Sequence, residues 1–179
     1  MALTATIYNL VTDLADVDRG VYEKIGLRLA RQPSETLEYM LTRFLAYCFE
    51  YTEGIELTEG VAADDEPAVL VRDLTGRVTA WIEVGMPDAQ RLHRGSKRAG
   101  RAAVYTHRNV DHVLAELNGK NIHRAAEIPV YEFGRGFVEA IAAVVQRRAE
   151  VAIAITERQL YLDVCGQTFS TAVVEHRIT

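Results

Sequence analysis

The sequence predicts a mixed α/β sheet with helices on its faces. Two observations carry this reading. Short runs with apolar alternation recur along the chain, and between them lie segments whose apolar residues return at helical spacing. The stretch from about 34 to 107 reads helix, strand, strand, helix, strand, so a hairpin is followed by a right-handed helical crossover. The whole order is β-β-α-β-β-α-β-α-β-α-β-β, which adds antiparallel strands on either side of that central unit.

The elements follow in order. Residues 3 to 13 and 20 to 30 alternate and flank the turn-rich ADVDR, which predicts an N-terminal hairpin. Pro33 breaks the chain and Ser34 is placed to cap a helix running to about Tyr51. Its Leu37, Met40, Leu41, Phe44, Leu45 and Cys48 fall at offsets 0, 3, 4, 7, 8 and 11, a clean amphipathic stripe. On that wheel Glu35 points away from the stripe and Glu38 lies at its edge. Gly60 to Pro67 is a loop. Val69 to Asp73 and Val78 to Val84 form a hairpin through Thr75 and Gly76. Asp88 caps a helix to about Ala99 that presents Leu92, Ser96 and Ala99 to the sheet and Arg91, Arg94 and Arg98 elsewhere. RAAVYTH is a strand, 110 to 117 a short helix, 127 to 133 a strand, and 136 to 147 an amphipathic helix. The C-terminal segment from 151 holds two or three strands by alternation.

A length of 179 residues suits one domain that spans the whole chain, 1–179. Hydrophobic content of 49% and charged content of 25% are ordinary globular values. The net charge of -5 argues against wholesale electrostatic binding to nucleic acid. The cations are nevertheless concentrated: five of the 20 Lys and Arg residues lie between Arg91 and Arg101. Cys48 and Cys165 each sit in an apolar pattern with no second cysteine nearby, so both read as buried free thiols. No membrane span and no basic leader is visible, and the expected location is cytoplasmic.

Glu83 is the most informative residue. It stands inside the apolar strand TAWIEVG, on the face shared by Thr79 and Trp81 and opposite Val78, Ala80, Ile82 and Val84. A carboxylate leaving water unpaired costs several kcal/mol. It therefore pairs with a cation, such as Arg91, Arg94 or Arg72, or it ligates a metal. Hard divalent cations take carboxylate oxygens and keep several waters, so two acids suffice. Asp64 or Asp65, in the acidic loop ADDEP, is the candidate second ligand, and the offset of eighteen positions from Asp65 to Glu83 allows one hairpin to bring them together. Glu38 reads as a solvated helix edge or as a third acid that hydrogen-bonds the metal-bound water. The helix carrying Arg91, Arg94, Lys97 and Arg98 reads as a phosphate clamp or as a solvated face. The five histidines show no ligand spacing and read as surface or strand residues.

These residues resemble the YaeQ family of small bacterial proteins. The anchors are MALTATIYNL, RQPSETLEYMLTRFLAY, ADDEP, WIEVGMPDAQRLHRGSKRA and the following VYTH, and together they span nearly the full chain. That family resembles the PD-(D/E)XK nuclease superfamily, which implies a restriction-endonuclease-like core over about 34–107. Carried over, the superfamily aspartate is Asp65, its second acid is Glu83, and the acid of the preceding helix is Glu38. Two residues after Glu83, where the superfamily has lysine, this chain has Gly85. Arg91, Arg94 or Lys97 would have to stand in. Arginine stabilises charge but does not readily act as a base.

The resemblance implies a divalent-metal-dependent nuclease-like protein acting on phosphodiester bonds. Asp65, Glu83 and Glu38 would serve Mg²⁺ or Mn²⁺, and Arg91, Arg94 and Lys97 would serve the transition state. The alternative is a catalytically inactive nuclease-fold module that binds nucleic acid through the 91–101 helix, or binds a protein partner. A third reading makes the acid–base cluster a buried structural network.

Overall fold

The structure, a computed structural model, describes residues 3–59 and 65–179. Among the described residues ten strands join in one sheet. The N-terminal hairpin is β1 (Thr6–Asp16) and β2 (Val21–Arg31), paired in strict register from Thr6–Arg31 to Asp16–Val21. Helix α1 (Leu37–Glu50) is followed by β3 (Ile55–Leu57), β4 (Val69–Arg72) and β5 (Val78–Val84). Helix α2 (Ala89–Arg98) leads to β6 (Arg101–Thr106), then come α3 (Val110–Leu117), β7 (Pro129–Phe133) and α4 (Phe137–Ala142). Strands β8 (Arg148–Thr156), β9 (Gln159–Val164) and β10 (Gln167–Arg177) complete the chain. The strand order is β2-β1-β8-β9-β10-β7-β6-β5-β4-β3. The pairs β1–β8, β5–β6 and β6–β7 are parallel and the others antiparallel.

The mixed α/β class is as expected, and so are the hairpin, the α2 crossover and the alternation of β5. Ala80, Ile82 and Val84 join the main core beneath α1, while Trp81 joins a second core with Leu92, Val104, Val113 and Leu117 beneath α2 and α3. Several boundaries differ. The α1 cap is Thr36, whose side chain accepts from the Tyr39 amide, and not Ser34. Strand β3 was not expected. Helix α4 ends at Ala142 because the chain turns there, five residues short of 147. Cys48 is buried, but Cys165 is exposed in the tight β9–β10 turn, where it adopts φ 50.

Helix α1 is more than amphipathic. Every residue from Met40 to Cys48 is buried, including Thr42 and Arg43. The reason is topological: the sheet curls round α1 until its two edges approach. Arg43 bridges them. Its Nη2 donates to Ala30 O in edge strand β2 at 3.1 Å, and its Nη1 donates to Thr58 O just past edge strand β3 at 3.1 Å. Glu35 holds this guanidinium, with Oε1 2.8 Å from Nε and Oε2 3.2 Å from Nη2. The same Oε2 accepts from the Gln32 amide at 3.0 Å. Glu35 therefore does not point away from the core; it is a buried anchor 2% exposed. The apolar stripe of α1 supplies most of the driving force, at roughly 1.5–3 kcal/mol per fully buried large side chain.

Candidate functional site

Glu83 lies near the carboxyl end of β5, where the strand passes beneath α2. It is 2% exposed, and its Oε1 accepts from two donors: the Trp81 indole Nε1 at 2.8 Å and Arg91 Nε at 2.8 Å. Burial pushes its carboxyl above the usual range, while the Arg91 charge and the two hydrogen bonds pull the other way. Of the cations considered for Glu83, Arg91 is the one that pairs with it. Asp88 makes this geometry local, because its side chain caps α2 by accepting from the Arg91 amide at 2.8 Å and so starts the helix beside Glu83.

Two further contacts fix the corner. Arg98, two turns along α2, stands over the Trp81 ring at 5.7 Å, close enough for a cation–π contact. Between Arg91 and Arg98, Gly95 lets the helix lie directly on the indole: a Cβ there would meet Trp81 Nε1 at 2.3 Å. Arg91 and Arg98 also hold the end of the acidic loop. Arg91 Nη2 donates to Glu66 O, and Arg98 Nη1 donates to Asp65 O at 3.3 Å. These two contacts are made to carbonyls, and Asp65 is exposed. Asp64 lies outside the described residues.

The position where the nuclease pattern has lysine is closed. Gly85 adopts φ +77, a left-handed conformation that glycine tolerates and other residues resist. A Cβ at Gly85 would also sit 3.3 Å from the Tyr39 ring. Tyr39, from the first turn of α1, fills that space, and burial together with the Glu83 charge pushes its hydroxyl up to about 12.

The remaining candidates disperse. Glu38 faces a separate cleft of about 630 Å³, shared with His107, Glu132, Arg135 and Glu139. Arg94 lines a shallow hollow with His93 and Lys120, and no contact among the described residues brings it to Glu83. Lys97 is exposed. Among the described residues no three His, Cys, Asp or Glu side chains gather in a way that would hold a metal ion. The described residues therefore do not fit Mg²⁺ or Mn²⁺ as a ready carboxylate site: Glu83 Oε1 already accepts two donors, and Glu38 faces elsewhere.

Sequence reasoning overlooked Tyr39, Gly95, Arg43 and His107. A glycine in mid-helix was the available signal for Gly95, since it costs roughly 1 kcal/mol unless something packs against it. His107 was read as a surface or strand residue. Its Nδ1 lies 2.9 Å from Thr42 Oγ1, and burial lowers its basicity while Glu139 raises it.

A family model described as YaeQ protein matches residues 1–173. The chain belongs to the YaeQ family. The YaeQ protein of Escherichia coli strain K12 is 40% identical over 107 residues, which is 60% of this chain and 59% of that protein. The YaeQ protein of Salmonella typhi is 39% identical over the same span. The match thus spans about 59% of the length of these curated relatives. Both carry the name uncharacterized protein YaeQ, which assigns no activity. The crystal structure of YaeQ protein from Pseudomonas syringae aligns with a TM-score of 0.88 at 31% identity, covering 96% of this chain and 95% of that one. The YaeQ protein crystal structure from Xanthomonas axonopodis pv. citri aligns with a TM-score of 0.88 at 27% identity, covering 98% and 100%. The mixed α/β fold is therefore that of the YaeQ family. No described helix is long and apolar enough to cross a membrane.

Proposed function

We propose that this YaeQ family member is a nuclease-fold module, with its restriction-endonuclease-like core at about 34–107, that binds nucleic-acid phosphates on α2 without cleaving them. The observation that carries the reading is the Glu83–Arg91–Trp81 cluster. The acid at the nuclease position is neutralised by an arginine from α2 and bonded to an indole, and the lysine position is occupied by Tyr39. What α2 offers outward is cationic: Arg94 and Lys97 are exposed, and among the described residues no carboxylate pairs with either. Guanidinium and ammonium groups on one short helix suit a phosphate backbone. With a chain net charge of -5, the contact is confined to this patch.

The test is binding of labelled single- and double-stranded DNA and RNA across a salt series. Duplex affinity falls with salt, and removing Arg94 and Lys97 together flattens the log–log slope by roughly 0.9 for each phosphate no longer neutralised. Glu83→Gln leaves the slope unchanged. Absence of binding at low salt, or a slope indifferent to Arg94 and Lys97, refutes the proposal.

One observation favours the catalytic reading. Arg91 reaches both Glu83 and the carbonyl of Glu66, so the end of the acidic loop lies within one guanidinium of the Glu83 carboxylate. Incubation of DNA and RNA with Mg²⁺ or Mn²⁺ decides between the two. Cleavage that Glu83→Ala abolishes establishes the nuclease and removes the binding-only reading.

A further inference from the structure

A second cleft lies at the opposite end of α1. About 16 Å of helix, eleven residues at 1.5 Å each, separates Tyr39 beside Glu83 from Glu50 in this cleft. Its volume is about 480 Å³, within the range of small-molecule sites. One wall is aromatic. Tyr105 stands between Phe49 and Tyr131, with ring centroids 5.9 Å and 4.8 Å away.

Three acids and three arginines line the space, and their roles are unequal. Every carboxylate oxygen is already used. Asp16 accepts from the Arg19 amide at 3.2 Å and from Arg19 Nε at 2.6 Å. Asp18 accepts the Glu157 and Arg158 amides at 2.7 and 3.0 Å. Glu50 takes the Arg101 guanidinium bidentately at 2.5 and 2.7 Å, and the Tyr105 hydroxyl at 2.6 Å. Arg19 is also used up, since its Nη1 and Nη2 donate to Tyr51 O and Cys48 O at the end of α1. Arg101 and Arg158 are not. Their side chains are 46% and 49% exposed; Arg158 Nη1 pairs with Glu175 Oε2 at 3.3 Å, while Arg158 Nη2 and Arg101 Nε have no acceptor among the described residues. What faces a ligand is therefore a pair of guanidinium edges.

Two features set these groups at some cost. Glu50 is a buried acid in the last turn of α1, the end where the helix dipole opposes negative charge. Its bonds position Arg101 and Tyr105. The two-residue β8–β9 turn has both central residues left-handed, Glu157 at φ 51 and Arg158 at φ 61, where Asn and Gly are the usual occupants. Asp18 clamps that turn and sets Arg158 over the Tyr131 ring at 4.9 Å. A guanidinium stacked this way keeps the in-plane N–H groups that Glu175 does not take for a carboxylate or phosphate.

We propose that this cleft binds a small planar anion, an aromatic or heteroaromatic ring carrying one carboxylate or phosphate. The ring lies against Phe49 and Tyr131, and the charge meets Arg101 and Arg158. The site is independent of α2 and of the reading given to Glu83.

The full chain is titrated with adenosine 5′-monophosphate and with benzoate, followed by backbone NMR. Adenosine and inorganic phosphate serve as half-ligands. One of the two ring-bearing anions is expected to shift Arg101, Tyr131, Glu157 and Arg158 signals and to bind at least about tenfold more tightly than either half-ligand. Which one binds distinguishes phosphate from carboxylate recognition. Arg158→Asn, which suits the left-handed turn, weakens that binding about tenfold while thermal stability is kept or raised. The proposal is overturned if neither anion binds at millimolar concentration. It is also overturned if a half-ligand binds as well, if the shifts are confined to α2, or if Arg158→Asn leaves affinity unchanged.

Discussion

The Glu83–Arg91 pair makes an asymmetric prediction. Glu83→Gln keeps an oxygen that Trp81 and Arg91 can still use, and Arg91, whose side chain is 20% exposed, retains access to water. Its cost is about 1 kcal/mol, the worth of one hydrogen bond. Arg91→Met instead leaves the carboxylate, 3% exposed, with the indole as its described donor. Breaking a buried pair from that side costs about 3–5 kcal/mol, and water reaching the Arg91 side lowers this to roughly 2–3 kcal/mol. The pH dependence has a definite sign. The folded state raises the Glu83 carboxyl above its ordinary value, so the folded state favours the protonated form. The destabilisation is full above the folded value and is relieved as pH falls through it toward the unfolded value. Without the Arg91 charge, which does most to hold the group down, the rise is greater. Urea unfolding at about pH 7.5 and about pH 5 measures both effects. The Arg91→Met deficit should shrink on acidification. A deficit that stays constant or widens, or a Glu83→Gln variant less stable than Arg91→Met, refutes the assignment of Glu83 as a buried, arginine-held carboxylate.

Two further predictions use the same assay. Gly95→Ala ordinarily stabilises a helix by roughly 0.5–1 kcal/mol, but here the added methyl meets Trp81, so the sign reverses to a loss of about 1–3 kcal/mol; emission from the sole tryptophan should shift to the red as the indole leaves its bond to Glu83. Arg43→Met should cost about 3–5 kcal/mol by orphaning Glu35, and the Glu35→Leu/Arg43→Met double variant should lose clearly less than the sum of the two single losses, as double-mutant cycles in urea would show.

The parts of the fold that follow local rules were legible. The β1–β2 hairpin, the stripe of α1 and the two faces of β5 are all periodicities, and period alone separates Ile82 from Trp81. The closure of the sheet was not legible, because it depends on β2 and β3 meeting across α1. That contact is long-range, and Arg43 completes it through carbonyls that carry no side-chain signature. Glu35 was misjudged for a local reason: it precedes the helix, so a wheel drawn for the helix says nothing about it. At the site, the pairing of Glu83 with a nearby cation was readable from its cost, and Arg91 was among the partners named. The separation of Glu38 from Glu83 was not, because adjacent residues on α1 diverge: Tyr39 turns to Glu83 and Glu38 to the His107 cleft.

Gly85, where the nuclease pattern would carry lysine, belongs to a connected set of residues. A side chain at position 85 would need a left-handed backbone and would press on Tyr39, so lysine cannot be restored there by a single substitution. The positive charge beside Glu83 comes from α2, where Gly95 lets that helix lie against Trp81. Trp81 in turn binds Glu83 and carries Arg98, and the two arginines hold the Asp65–Glu66 backbone. Gly85, Tyr39, Gly95, Trp81 and Arg91 are therefore interdependent, and a large residue at either of the two glycines displaces the others. Arginine brings bidentate reach and permanent charge in exchange for lysine's capacity to give up a proton. The proposal of binding without cleavage rests on that exchange: an arginine held by Glu83 does not readily activate water, and the phosphate contact it invokes falls to Arg94 and Lys97.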